Sequence, residues 1–289
     1  MIDVLVTGAN GQLGKSIQEL NDQDANTNIN IKFTFTSSQE LDITDQNLVN
    51  SFFLKGDYDY CINCAAYTAV DKAETEEEKA YLVNAEAVKY LAEACKQNDT
   101  VLIHVSTDFV FDGQKGSPYT EDDPTNPIGV YGASKLKGEQ YVQSILEKYF
   151  IVRTSWVYSE YGHNFVKTML RLAEERNEIS VVNDQIGSPT YAGGLAEFLC
   201  FLVQIPDNDY GIYNFSDEGE ISWYDFALGV FKEFGKDMKV NPISSQQYPT
   251  LAKRPVYSKL STDKIKHRKG VVLQDWKLSL RRIKNRNND

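Results

Sequence analysis

Near the start of the chain, Gly8-Ala9-Asn10-Gly11-Gln12-Leu13-Gly14 separates a short apolar, β-branched run, Ile2–Thr7, from an amphipathic stretch reaching about Leu20. Glycine tolerates positive φ and lets backbone lie directly against a neighbour or a ligand. Three glycines at this spacing, between a strand and a helix, predict a turn that opens onto free helix amides and the positive end of the helix dipole. Such an end holds a phosphate group without a basic side chain. The pattern that follows gives the turn its context. Strands are expected at residues 31–36, 41–44, 60–63, 101–105 and 150–153, and helices at 74–97 and 128–146, with Asp45 capping a further helix and residues 21–30 forming a polar turn. Strands alternating with helices imply a parallel sheet covered on both faces. The expected fold is therefore α/β, a Rossmann-type doubly wound parallel sheet with its ligands outside the carboxyl ends of the strands.

Beyond residue 155 the pattern loosens. Helices recur near 161–176, 191–204 and 222–234 with short strands between them, and Pro, Gly and Ser gather at 187–190 and 242–255. The expected division is a nucleotide-cofactor domain over residues 1–157, rejoined by later segments, and a smaller C-terminal α/β substrate lid over 158–289. At ~150 residues per domain, 289 residues suit that reading. Residues 112–127 read as a long, mobile loop. The basic tail at 281–286 reads as a solvated helix end.

Composition narrows the function. Asp plus Glu outnumber Lys plus Arg by 41 to 30, a net charge of -11, which speaks against nucleic acid as the main partner. No apolar run approaches the ~20 residues of a membrane span. No basic segment precedes the first apolar run, so no signal peptide is expected and the expected location is cytoplasmic. Cys61 and Cys64 make a C-x-x-C, but His104, His163 and His267 lie far apart in sequence, so these cysteines read as structural and no metal is expected.

The second strand ends Thr36-Ser37-Ser38, with neither the carboxylate that reads a ribose 2′-hydroxyl nor an Arg for a 2′-phosphate. The expected cofactor is NADPH, with NADH as the other possibility. Asp42-Ile43 and Ala65-Ala66-Tyr67 close the next two strands, where small residues would let adenine and ribose lie close to the backbone. Asp42 reads equally as a turn or helix-capping residue.

Tyr131 and Lys135 lie four residues apart on an expected helix, hence on one face. Among 17 tyrosines one such pair is roughly a chance event, so its weight comes from its place just after the strand that ends Val105-Ser106-Thr107-Asp108. Reduction of a carbonyl by hydride requires a proton for the developing alkoxide. Tyr131 is the expected donor, and Lys135 is expected to lower its pKa and to hold the cofactor ribose. Thr107 offers a hydroxyl to orient the carbonyl oxygen.

Residues 7–14, 41–45, 63–76, 106–113, 131–139 and 153–158 resemble the dTDP-4-dehydrorhamnose reductase family of extended short-chain dehydrogenase/reductases. Asn-Cys-Ala-Ala-Tyr-Thr-Ala-Val-Asp-Lys-Ala-Glu and Ser-Thr-Asp-Phe-Val-Phe-Asp-Gly are the most distinctive stretches, and residues 184–190, 221–226 and 254–255 extend the likeness over nearly the whole chain. The resemblance implies reduction of dTDP-4-dehydro-L-rhamnose to dTDP-L-rhamnose, with Tyr131 as proton donor and Lys135 as its modulator. Thr107 stands where the wider superfamily usually has serine. Thr107, Asp108 and Trp156 would touch the sugar nucleotide, although Trp156 also reads as an ordinary core aromatic. Some members form dimers bridged by magnesium through a carboxylate on the first helix. Ser16 stands there in this chain, so the expected state is a monomer or a homodimer without metal.

Two alternatives stay open. One is a sugar-nucleotide epimerase or dehydratase of the same superfamily, although Thr107-Asp108-Phe109 lacks the adjacent Asp-Glu pair usual in a dehydratase. The other is a non-catalytic cofactor-binding regulatory subunit, like that of methionine adenosyltransferase. Retention of Thr107, Tyr131 and Lys135 favours the enzyme over the second.

Overall fold

The computed structural model describes residues 1–24, 31–204, 209–268 and 270–286. The first part runs β1 (Ile2–Thr7), α1 (Gln12–Asp24), β2 (Ile31–Thr36), α2 (Gln46–Lys55), β3 (Tyr60–Asn63), α3 (Val70–Ala73), α4 (Glu77–Tyr81), α5 (Ala87–Gln97), β4 (Val101–Thr107), α6 (Val130–Ile145) and β5 (Tyr149–Thr154). The remainder runs β6 (Val157–Tyr158), α7 (Phe165–Glu175), β7 (Glu178–Val182), β8 (Ile186–Gly187), β9 (Thr190–Tyr191), α8 (Ala192–Gln204), β10 (Gly211–Asn214), β11 (Ile221–Ser222), α9 (Trp223–Phe234), β12 (Lys239–Ile243), α10 (Asp263–Lys266) and α11 (Trp276–Arg286).

Among the described residues, six strands form one parallel sheet in the order β10-β5-β4-β3-β1-β2. Successive side chains of a strand face opposite sides, and the core divides accordingly. Val4 and Val6 pack with Ile62, Ile103 and Val152 against Leu13 and Ile17 of α1 and Leu195 and Leu199 of α8. Leu5, Cys61, Leu102 and Ile151 pack on the other side against Val49 and Phe53 of α2, Leu91 of α5 and Val142 of α6. The doubly wound α/β expectation holds. The chain leaves β1 for β2 on one side and returns to β3 on the other, so a ligand crevice opens at the carboxyl ends of β1 and β3.

A third apolar cluster lies apart from the sheet. Tyr158, Val166, Met169, Tyr191, Phe226, Val230, Trp276 and Leu280 pack together from α7, α9, α11 and the short strands. Here β12 pairs with β7, β9 with β6 and β11 with β8. Residues 192–214 run back to the large sheet, where α8 covers one face and β10 adds an edge.

Several local expectations are corrected. Residues 41–44 form no strand: Leu41 N bonds back to Ser37 O at 2.9 Å and Asp45 N to Asp42 O at 3.1 Å, so turns take the donors that a ladder needs. Asp45 does cap α2, accepting from Asn47 N and Leu48 N. The continuous helix expected over 74–97 is broken. Glu76 leaves helical geometry at φ -118° and ψ 43°, and residues 82–86 form a π turn. That turn carries the buried Asn84, whose side chain bonds Tyr67 N, Tyr67 O and Ser134 Oγ. Helix α1 continues past Leu20 to Asp24, and the rest of the expected polar turn, residues 25–30, lies outside the described residues. Cys64 sits beyond the end of β3 rather than within it. The loop 112–127 is tied down: Asp112 accepts from Gln114 N, Tyr119 Oη and Asn126 Nδ2, and Tyr119 is buried against Phe111. Nor is the basic tail simply solvated. Arg282 reaches Glu197 of α8 and Arg286 reaches Glu19 of α1, while Leu280 and Ile283 are buried.

Candidate active site

The glycine turn caps the carboxyl end of β1. Gly8 has φ +70°, and a Cβ there would lie 2.6 Å from Ala65 N. A side chain is therefore excluded by both conformation and space. Ala9 N bonds Thr36 O, which holds the turn against β2. The result is a crevice of about 310 Å³ lined by Gly8, Asn10, Gly11, Ser37, Asp42, Ile43, Ala65 and Ala66 among the expected residues, together with Ser38, Leu41, Thr44, Cys64 and Val83. Asp42 is also a turn residue, accepting from Thr44 N and Thr44 Oγ1.

Other expected cofactor residues lie outside that lining. Leu13 is buried in the core and Gly14 packs against Ala9, while Tyr67 turns its hydroxyl to Glu76. The Gln12 side chain points to the second lobe, where its Oε1 accepts from Ser159 Oγ and Asn164 Nδ2, both at 2.9 Å. At the end of β2, Ser37 N and Oγ both donate to Glu40 at 2.8 Å. Their hydrogen bonds hold the Glu40 carboxyl below its usual range. This acidic neighbour went unnoticed in the sequence because it lies four residues past the strand.

Helix α6 carries Tyr131 and Lys135 to the carboxyl end of β4. Its approach is close: a Cβ on Gly132 would lie 2.1 Å from Phe109 O. The helix is also clamped by a buried ion pair, Glu139 with Arg153 of β5 at 2.7 Å. Tyr131 is half-buried, stands edge-on to Phe109 at 5.6 Å, and has its hydroxyl within hydrogen-bond reach of Thr107. Thr107 Oγ1 donates to Asp108 Oδ1 at 3.1 Å and accepts from Phe109 N. Burial pushes Tyr131 up to about 12, and Asp108 up to about 6. The other Asp108 oxygen, Oδ2, is buried with no hydrogen-bond partner in the protein.

One expectation about Lys135 is not met. Its Nζ donates to Val105 O at 2.7 Å and lies 3.5 Å from His104 Nε2. Its charge contributes nothing resolved to Tyr131, whose phenol stays protonated. Burial instead brings Lys135 down to about 8. Cys64, close by, is pushed well up by burial and remains a thiol.

Across from the cradle, Trp156 adopts φ 48° and stacks on Trp223 at 3.6 Å. Left-handed backbone at a tryptophan is strained by ~1–3 kcal/mol, so the surrounding packing must hold it in place. Phe109, Trp156, Gln185, Trp223, Arg254 and Ser258 enclose a small recess. Gln185, Trp223 and Arg254 are shared with a neighbouring apolar cleft of about 360 Å³ that runs along Phe165, Met169 and Tyr248. Arg254 also pairs with Asp71 at 2.7 Å, and Asp71 accepts from Ala252 N, which ties this wall to α3. Gln185, Trp223, Arg254 and Ser258 were not singled out as site residues. The first three lie in or beside stretches already noted for their resemblance, and that was the signal available.

A family model described as the RmlD substrate binding domain matches residues 2–288. A dTDP-4-dehydrorhamnose reductase of Aggregatibacter actinomycetemcomitans is 43% identical, over 98% of this chain and 99% of its own. Among solved structures, a dTDP-4-dehydrorhamnose reductase from Clostridium acetobutylicum has TM-score 0.94 at 40% identity and covers 100% of both chains. The enzyme from Bacillus anthracis, solved in complex with NADP, has TM-score 0.92 at 39% identity over 99% of this chain and 100% of its own. A glycine cradle, a Thr-Tyr-Lys group at the end of β4 and these end-to-end likenesses converge: the chain belongs to the dTDP-4-dehydrorhamnose reductase family of oxidoreductases.

Proposed function

We propose that this enzyme uses NADPH to reduce the C4 keto group of dTDP-4-dehydro-L-rhamnose, giving dTDP-L-rhamnose, with Tyr131 as the proton donor. The observation that carries the reading is the meeting of Thr107, Tyr131 and Asp108 beside the glycine cradle, under the Trp156 wall. The cradle fits a dinucleotide: Gly8 lets the turn pack directly on the Ala65 backbone, and the start of α1 offers amides to a diphosphate. Ser38 offers a hydroxyl to a 2′-phosphate, while Ser37 is engaged with Glu40, and the NADP complex of the Bacillus anthracis relative supports NADPH over NADH. Bound NADPH supplies the hydride.

The protein's own residues supply orientation and the proton. When the substrate binds, Thr107 turns its hydroxyl proton from Asp108 to the carbonyl oxygen and holds that oxygen near Tyr131. Tyr131, protonated throughout the neutral range, passes its phenolic proton to the alkoxide as it forms, a transfer downhill because an alkoxide is the stronger base. Asp108 accepts a sugar hydroxyl at Oδ2. Trp156 and Trp223 cover one face of the sugar, and the cleft beside Arg254 receives the nucleotide.

The test is cofactor oxidation by purified protein given dTDP-4-dehydro-L-rhamnose, with NADPH and NADH in parallel and Tyr131→Phe as control. Turnover with NADPH that the control abolishes is the expected result. Cofactor binding without turnover would overturn the substrate assignment.

A further inference from the structure

Thr7, Asn63 and His104 occupy one register row across β1, β3 and β4. All three are buried, and His104 is wholly so. Thr7 Oγ1 donates to Asn63 Oδ1 at 2.7 Å, and Ala65 N donates to the same oxygen at 3.1 Å. A backbone N–H only donates, so it fixes which end of the Asn63 amide is oxygen. The amide nitrogen therefore faces His104 Nδ1, at 3.1 Å. Because that nitrogen donates, Nδ1 must accept, and the ring proton belongs on Nε2. Nε2 in turn faces Lys135 Nζ, at 3.5 Å. An N–H offers nothing to an ammonium, but it donates to the lone pair of a neutral amine.

We infer that His104 is a positioning residue for Lys135: its Nε2–H faces the lysine nitrogen and favours the amine over the ammonium, which lowers the lysine's proton affinity until a ligand draws it away. The inference rests on reading Lys135 as part of the reductase site. The other groups facing the lysine do not undo it. Cys64, from the loop after β3, is a thiol, and Tyr131, on α6, is a protonated phenol. Glu139, one turn along α6, favours the ammonium, but Arg153 of β5 matches its charge. Burial above all holds His104 itself well below the usual imidazole range, so it stays neutral.

The sequence motif leaves His104 without a task, since a histidine in a central strand reads as core. The row gives it one. A ligand that favours the ammonium is bound with uptake of a proton. Its affinity is then full below the lysine's ligand-free pKa and falls as pH rises through it.

Nitrogen-15 NMR of histidine-labelled protein, without cofactor or substrate, tests the tautomer directly. The chain has three histidines, and His163 and His267 are exposed. His104 is expected to stay invariant, with a protonated Nε2 and a lone pair on Nδ1. A proton on Nδ1, or an imidazolium at neutral pH, overturns the inference. A second measurement follows NADP+ affinity against pH by protein fluorescence in the parent and in His104→Gln, whose amide oxygen offers Lys135 an acceptor. The alkaline loss of affinity should move upward by about one pH unit or more, and an unchanged midpoint in a folded variant overturns it. The expected tautomer without keto-sugar turnover would reject the reductase reading alone, and turnover with the wrong tautomer would reject His104 alone.

Discussion

The cradle draws most of its lining from Gly8, Asn10 and Gly11, from residues 37–44 and from Cys64, Ala65 and Ala66, whereas the facing recess takes Phe109, Trp156, Gln185, Trp223, Arg254 and Ser258 from widely separated segments. The cradle works by leaving side chains out, so backbone and a dinucleotide meet closely. The recess works by bringing large side chains in: Trp156 and Trp223 are held by the apolar cluster around Phe226, Gln185 by Ser245 and Arg254 by its pair with Asp71. A site built from missing side chains is written locally. A site built from packed side chains depends on the whole fold.

The sharpest test of the contrast lies at the hinge between the two walls. Tyr131→Phe deletes one hydroxyl, and turnover should fall by roughly 10²–10⁴-fold, as expected for a lost proton donor. NADPH affinity should hold, because Tyr131 is not in the cradle lining. Next, Gly8→Ala puts a methyl against Ala65 and strains a φ of +70°. At ~1–3 kcal/mol for such strain, cofactor affinity measured by fluorescence titration should drop by about tenfold or more. Cooperative unfolding should persist, and unchanged affinity would break the idea that absence of a side chain makes the site.

Trp223→Ala addresses the opposite wall. Loss of the stack under Trp156 should raise KM for the sugar nucleotide by roughly tenfold, in the range of a lost aromatic contact. NADPH binding should be untouched, and equal loss of both would erase the distinction between the walls. The smallest effect concerns the lobe beneath that wall. Burial pushes Asp217 up to about 7 beside Tyr158 and the amide of Tyr191. The raised value means the folded state binds more protons than the unfolded chain between pH ~4 and ~7. Its contribution therefore opposes folding increasingly as pH rises through that window. Asp217→Asn should flatten the decline and raise stability at pH 8 by about 1 kcal/mol, read by urea unfolding at both ends of the window.

How far each wall was legible follows the same line. Gly8, Gly11, Ala65 and Ala66, named from the motifs as cofactor residues, line the crevice, and Thr107 and Tyr131 meet at the end of β4. Gln12 and Leu13 were expected there too. Their side chains serve the lobe contact and the core, since a helix start offers its amides to one side and its side chains to others. Residues 41–44 look like a strand by composition, but turn bonds to Ser37 and Asp42 take their donors. The break near residues 82–86 has no apolar-period signature. It follows from Asn84 reaching Tyr67 and Ser134, neither of them near it in sequence.

Local sequence by itself determined the parallel sheet, its glycine turn and the helix that carries Tyr131 and Lys135, because strand period, helix period and backbone freedom act over a few residues. Tertiary structure alone decided that Lys135 turns to His104 and Val105 rather than to the tyrosine hydroxyl, and that Trp156, Trp223 and Arg254 converge on one recess. Those outcomes depend on burial and on partners that only the packed lobes bring within ångströms, and no pattern along the chain encodes such distances.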